Sequence, residues 1–334
     1  MIVSRATALL IILVVEAAVG YPDALYRLVR HPVVWVGGLI GSIEPRWNAG
    51  SARRRRAAGC MLVLVLVLAS GGAGWAIEYL ATRAGSGTTA QWAITVVVLL
   101  VATTGFAQRS LYDHVAAVLR PLRASDLDTA RRAVARIVGR DTQALDAHGV
   151  SAAAIESLAE SFCDGVVAPA FWFLIAGLPG LFICKALNTA DSMAGHKDER
   201  YGAFGWAAAR SDDLVNLVPA RLSGLLICVA GWGGLRVMLR DARKHASPNA
   251  GWPEAAMAGV LARQLGGPVS YDGEMTWRPA FGDGPSPDAQ SLRKAIQVYW
   301  RSCAVLWLMI GAMAAGVDGL SGGGLAMGGS AWLR

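Results

Sequence analysis

Arg53-Arg-Arg-Arg-Ala-Ala-Gly-Cys-Met-Leu-Val-Leu-Val-Leu-Val-Leu-Ala-Ser70 sets four arginines against an apolar run that continues to Leu80. At 1.5 Å per residue such a run crosses a hydrocarbon layer of roughly 30 Å as a helix, and the arginines mark its cytoplasmic end. Runs of the same kind recur. The membrane segments read from the sequence are 6–21, 60–80, 91–108, 166–187, 214–235 and 297–316. The 334 residues are 54% hydrophobic and only 16% charged, with a mean hydropathy of +0.42. These features place the chain among all-α polytopic helical membrane proteins, folded as a single membrane domain over 1–334.

Net charge is +7, yet the positive residues do not form a nucleic-acid face, so no nucleic-acid partner is expected. They sit beside the apolar runs: Arg27, Arg30, Arg46 and Arg53 to Arg56 precede the second run, whereas the next loop holds only Arg83. Segments 22–58, 109–165 and 236–296 are therefore read as cytoplasmic loops of a multi-pass protein of the bacterial inner membrane, its bilayer being the first partner. Residues 6–20, with a basic start and small residues at the end, also have the shape of a cleaved signal peptide. Five scattered cysteines without a CxxC suit neither a disulfide framework nor a zinc site. Oligomeric state is open, a homo-oligomer included.

Outside the apolar runs, Leu127, Ala130, Val134 and Ile137 fall at helical spacing, with Ser125 or Asp126 as the cap. This helix is expected to lie on the membrane surface or the bundle. A folded loop is expected over 248–287, with a short helix near Glu254 to Gln264 and Pro253 in its first turn.

Between Glu156 and Arg221 the polar residues are too numerous and varied for loop filler. Glu156, Glu160 and Asp164 share one helical stripe, where three like charges repel unless a cation occupies the face. Asn188-Thr-Ala-Asp191-Ser192 follows an apolar run, and His196, Lys197, Arg200, Arg210, Asp212, Asp213, Asn216 and Arg221 come after it. Carboxylates hold Mg²⁺ beside phosphates, and arginine and lysine clamp phosphate oxygens, so the set suits a nucleotide or another phosphorylated substrate. Neither GxxxxGK[ST] nor GxGxxG is present. The runs 166–187 and 214–235 raise a problem of sidedness. If each crossed once, 188–213 would face away from Glu160 and Asp164. Gly177, Pro179 and Pro219 interrupt them, which predicts re-entrant or broken segments that return to one side.

His31-Pro-Val33, Glu156-Ser-Leu-Ala-Glu160, Asp164-Gly-Val-Val-Ala-Pro169, Asn188-Thr-Ala-Asp-Ser-Met193, Glu199-Arg-Tyr201, Phe204-Gly-Trp206, Asp212-Asp213, Pro219-Ala-Arg221 and Asn249-Ala-Gly-Trp-Pro-Glu254 together resemble the adenosylcobinamide-phosphate synthase family of cobalamin biosynthesis. The resemblance runs from about residue 8 to 310. It implies an ATP-dependent ligase that joins adenosylcobyric acid, a corrinoid substrate, to (R)-1-aminopropan-2-ol phosphate, with ATP and Mg²⁺ required and the active site cytoplasmic. On this resemblance Asp164, Asp191, Asp212 and Asp213 are expected to bind metal. Asn188, Ser192, His196, Asn216 and Arg221 are expected to contact nucleotide or substrate. Glu156, Glu160, Lys197, Arg200 and Arg210 are expected to serve catalysis, with Glu156 or His196 taking the proton of the amine.

Other classes fit less well. A small-solute transporter would spread charges over several spans, and a non-catalytic membrane sensor has no need of Asp191, Asp212 and Asp213 together. A phospholipid-type alcohol phosphotransferase would carry further aspartates at fixed steps after Asp164-Gly165.

Overall fold

The computed structural model describes residues 3–22, 26–27, 30–83, 88–196, 198–271 and 273–326. Helix α1 (Arg5–Val19) buries Leu9, Ile12 and Leu13 in the bundle, and α2 (Pro32–Trp47) is capped by His31. Helices α3 (Ala52–Arg83), α4 (Thr88–Thr103) and α5 (Gln108–Arg123) follow, then the short α6 (Leu127–Val134). Of the two candidate caps for α6, Asp126 is the one used, accepting the Thr129 N–H at 3.0 Å. The helix buries Ala130 and Val134 against its neighbours. Next come α7 (Ala147–Phe162), a π-helical turn (Cys163–Val167) and α8 (Ala168–Ala194). Helices α9 (Trp206–Val215) and α10 (Leu217–Ala230) meet at a 50° bend. After α11 (Leu235–Asp241) and α12 (Gly251–Leu261), α13 (Ala289–Ala326) closes the described chain. Among the described residues four continuous stretches are long and apolar enough to cross a membrane, Ala52–Arg83, Thr89–Arg123, Ala147–Ala194 and Ala289–Asp318, and the bent α9–α10 pair makes a fifth. The protein is an all-α polytopic membrane protein with broken segments.

The third of these stretches does not cross as a rod. A straight helix would separate residues 164 and 188 by about 36 Å. Instead the Asn188 side-chain amide donates to the Asp164 carboxylate at 3.2 Å, and the Lys185 ammonium donates to the Asp164 carbonyl at 3.3 Å. The chain therefore enters through 168–176, turns, and comes back through 178–194. Gly177 makes the turn, at φ 64° and ψ −147°, a conformation that disfavours a side chain. A Cβ there would lie 2.2 Å from the Glu78 carboxylate. Breaking a helix frees backbone groups, and in a bilayer each must find a partner. Glu78 accepts the Leu178 N–H at 2.8 Å, and the Arg5 guanidinium donates to the Ile175 carbonyl at 2.9 Å.

The 214–235 run is broken as well, bent by 50° between α9 and α10. Gly231 and Gly234 pack against Val260 of α12. Six residues earlier on that helix, Glu254 lies 3.5 Å from Arg278, which in turn lies 3.6 Å from Glu156. At the start of the run Trp172 on the hairpin donates to the Val215 carbonyl at 3.1 Å.

Two of the stretches read as loops carry regular structure. The stretch 109–165 holds three packed helices, in which Val150, Ala154, Ile155 and Leu158 of α7 form a buried face. The stretch 236–296 holds two helices and two short antiparallel pairs, β1 (Leu265–Gly266) with β4 (Ala280–Phe281) and β2 (Val269–Tyr271) with β3 (Glu274–Thr276). The helix placed near Glu254 begins earlier, at Gly251.

Replacing Glu78 with leucine is expected to cost about 1–3 kcal/mol by leaving the Leu178 amide unpaired. Replacing Gly177 with alanine adds backbone strain on the order of 1–3 kcal/mol. Thermal unfolding in detergent measures both, and an E78L protein as stable as the parent would show that the amide needs no carboxylate.

Candidate active site

The residues that close the hairpin also wall a cavity of about 570 Å³. It begins at the π-helical turn, which interrupts the stripe drawn through Glu156, Glu160 and Asp164. Turns of this kind re-aim side chains and recur at functional sites. Glu160 and Asp164 line the cavity, while Glu156 faces away from it. From the returning arm comes Asp191, whose helix ends at Ala194 because the chain must pass beneath α9. At Gly205 a Cβ would lie 1.5 Å from the Ala194 carbonyl, so glycine is required there for α9 to dock. That helix brings Arg210, Asp212 and Asp213 to the cavity.

Asp212 is buried, with one carboxylate oxygen accepting from the Asn216 amide at 3.0 Å. Its other oxygen, also buried, has no hydrogen-bond partner. Asp164, Asp191 and Asp213 lie near enough for each carboxylate to feel the next. The cation nearest the mouth, Arg210, bonds Asp213 at 3.4 Å and is mostly exposed. A crowd of carboxylates with an orphaned buried oxygen fits a cation. Among the described residues no three acidic, His or Cys side chains converge tightly enough to enclose a metal by themselves. Mg²⁺ does not demand that, since it is commonly held by one or two carboxylates together with water and substrate phosphates.

Of the residues singled out in the sequence, Glu160, Asp164, Asp191, His196, Arg210, Asp212, Asp213 and Asn216 line this one cavity, and Asn188 bonds Asp164 behind it. Others lie elsewhere. Glu156 is buried and engaged: Arg140 bonds it closely, the Gly266 N–H donates to it at 2.7 Å, and Arg278 lies 3.6 Å away. Arg200 pairs with Glu44 at 2.8 Å, beside Arg55 and Asn48 in a separate cleft. Arg221 donates to Asn249 at 3.1 Å and stacks over Trp252, and Asn249 donates in turn to the Asp213 carbonyl. It braces the cavity wall and does not reach into the cavity. Ser192 is exposed and is not part of the lining, and Lys197 lies outside the described residues.

The sequence reading missed His245, Asn249 and Glu254. His245 and Asn249 line the cavity, and Glu254 lies behind His245 with both carboxylate oxygens buried and without hydrogen bonds. A glutamate amid the apolar residues of α12 was a signal that its neighbours had to be polar or protonated. Burial, reinforced by the Glu156 and Glu160 charges, pushes the Glu254 carboxyl well above its usual range. Burial and the Arg278 charge bring the His245 imidazole down to about 4.

A helical membrane protein that gathers an acidic, cation-fitting cavity where two broken segments return is of the kind that does chemistry on polar substrates at a bilayer face. The comparisons place it further. The model of the family described as CobD/Cbib protein matches residues 9–299, and the chain belongs to that family. It is 47% identical over 304 residues to the cobalamin biosynthesis protein CobD of Rhodobacter capsulatus, covering 90% of this chain and 94% of that one. It is 44% identical over 309 residues to the protein of the same name from Brucella anthropi, covering 88% and 92%. To that of Rhizobium meliloti it is 41% identical over 319 residues, covering 92% and 96%. No solved structure matches. The protein is thus a membrane enzyme of cobalamin biosynthesis.

The two perturbed groups have opposite linkage to pH. His245 binds fewer protons folded than unfolded between about 4 and its ordinary 6.5, so its contribution to stability is lost as pH falls through that window. Glu254 keeps its proton when folded, so above its ordinary 4.5 its contribution is lost as pH rises. Melting temperatures in detergent across pH 4–9 are expected to show H245N flattening the acid limb and E254Q the alkaline limb.

Proposed function

We propose that the protein is an ATP-dependent amide ligase that couples adenosylcobyric acid to (R)-1-aminopropan-2-ol phosphate to give adenosylcobinamide phosphate. The observation that carries the reading is the meeting of Asp164, Asp191 and Asp212 in one cavity, with a buried Asp212 oxygen left for a cation. A carboxylate and an amine do not condense unaided near neutral pH, because the carboxylate is a poor electrophile and hydroxide a poor leaving group. Transfer of the γ-phosphoryl group of ATP to a corrinoid propionate gives an acyl phosphate and ADP. The amine attacks its carbonyl carbon, the C–N bond forms, the C–O bond to phosphate breaks, and phosphate and one proton leave.

Asp164, Asp191, Asp212 and Asp213 would hold Mg²⁺, which when bound neutralises phosphoryl oxygens. Asn188 and Asn216 fix the orientation of Asp164 and Asp212 through the bonds described above. Arg210 at the mouth offers a guanidinium to phosphate, and its pairing with Asp213 keeps it aimed there. For the proton of the ammonium, Glu160 is better placed than Glu156, whose oxygens are already engaged. His196, exposed at the cavity rim, is a second acceptor.

The site is read as cytoplasmic, where ATP is. Support comes from the arginine block in the first turns of α3, since Arg55 bonds the Arg200 carbonyl and Arg56 stacks over Trp206, both at the site end of the bundle.

Detergent-purified protein is expected to form adenosylcobinamide phosphate, ADP and phosphate in equal amounts, as followed by chromatography. D191N and D212N are expected to lose on the order of 100-fold or more in kcat while remaining folded. Full activity in both would remove the metal assignment. Sidedness is tested by placing a cysteine at exposed Ser192 in a C60S background and labelling with an impermeant maleimide. Inverted vesicles, but not intact spheroplasts, are expected to react.

A further inference from the structure

The hairpin walls a second cavity, of about 250 Å³, lined by Lys185 together with His31, Ser110, Thr104 and Glu16. Asp164 stands between the two cavities: its side chain lines the acidic one, and its carbonyl receives the Lys185 ammonium from the other at 3.3 Å. That bond is to a neutral acceptor. Among the described residues no carboxylate forms an ion pair with Lys185, and Asp164 itself is engaged by Asn188. Glu16, the carboxylate in the cavity wall, is occupied at both oxygens, one by the Gln108 main-chain and side-chain N–H groups and the other by the Arg109 N–H. His31 accepts the Val33 N–H at 3.3 Å, and burial together with the Lys185 charge lowers its basicity. Lys185 is therefore a half-buried cation that feels the Asp164 charge yet hydrogen-bonds only a carbonyl, and an anion entering the cavity would complete its donors.

We infer that this cavity is the subsite for the phosphate of the small amino-alcohol phosphate, with Lys185 as its counter-ion. The inference rests on the ligase reading above. Size supports the assignment, because drug-sized ligands occupy roughly 300–1,000 Å³ and a nucleotide or a corrin ring does not fit in the smaller space. Position supports it too, since Lys185 bonds the main chain of Asp164, whose side chain lines the acidic cavity.

The experiment uses the full chain in detergent, with steady-state KM measured separately for the three substrates. K185Q is expected to raise KM for aminopropanol phosphate about tenfold or more while leaving those for ATP and adenosylcobyric acid within about twofold, and K185R is expected to restore most of the loss. An unchanged KM for the ester, or an equal rise for all three substrates, overturns the inference and leaves the ligase reading standing. Phosphorus NMR of the wild-type protein decides the case should K185Q not fold. A bound ester resonance displaced by inorganic phosphate supports the subsite, whereas no bound ester, or a tightly held phospholipid resonance that the ester does not displace, overturns it. If no product forms, the ligase reading fails, and the same titration with inorganic phosphate on wild type and K185R still tells whether Lys185 marks an anion site.

Discussion

Two side chains, Glu78 and Arg5, make the fold feasible by satisfying the backbone on either side of Gly177. Without them a helix broken inside a bilayer would expose an N–H and a carbonyl to hydrocarbon, at a few kcal/mol each, and the chain would do better to cross straight through. With them it can turn. Everything polar at the other end follows, because only a returning arm carries Lys185, Asn188 and Asp191 back to Asp164. The constraint therefore lies about 20 Å along the hairpin arms from the chemistry it permits.

At the near end the problem is the reverse, too many charges of one sign. Glu156, Glu160 and Glu254 lie behind or beside the aspartates, and Arg140 and Arg278 answer them from segments that the chain folds over α7. This arrangement divides the acids by role. Glu156 is neutralised within the protein and ties the α6–α7 connection to β1 through the Gly266 amide. Asp212 is not, and its orphaned oxygen marks where a cation is wanted from outside. A salt-bridged carboxylate such as Glu156 and an unsatisfied one such as Asp212 look alike in sequence, and only the partners tell them apart.

That difference sets how far the sequence could be read. The helical class and the break at Gly177 were legible because hydrophobic runs and helix breakers act locally, whereas the second break falls at Asn216, three residues before Pro219. The gathering of Glu160, Asp164, Asp191, Asp212 and Asp213 was legible as a density of acidic groups at run ends. Glu156 was misjudged because its cations, Arg140 and Arg278, are distant in sequence, and Arg200 and Arg221 were read as phosphate clamps because a guanidinium's target is invisible until Glu44 and Asn249 are placed beside it. Lys185, at the end of an apolar run, was given no role in the sequence reading, and it lines a cavity. Asp126 over Ser125 as the cap of α6 was decided by a backbone geometry that composition does not encode.

The distribution of charge also separates an enzyme from a transporter on physical grounds. A conduit needs polar groups graded along its length so that a solute exchanges one set of partners for the next. Here the charged side chains of the far half are tied up: Arg5 and Glu78 hold backbone groups, and Asp318 accepts the Thr7 hydroxyl at 2.8 Å. The buried Gln108 network of Glu16, Tyr299 and Trp307 knits α1, α5 and α13 together across the middle. The polar groups named here have their partners within the protein. Among the described residues a buried oxygen without a hydrogen-bond partner is found instead at the near end, on Asp212 in the acidic cavity, where a cation would complete it.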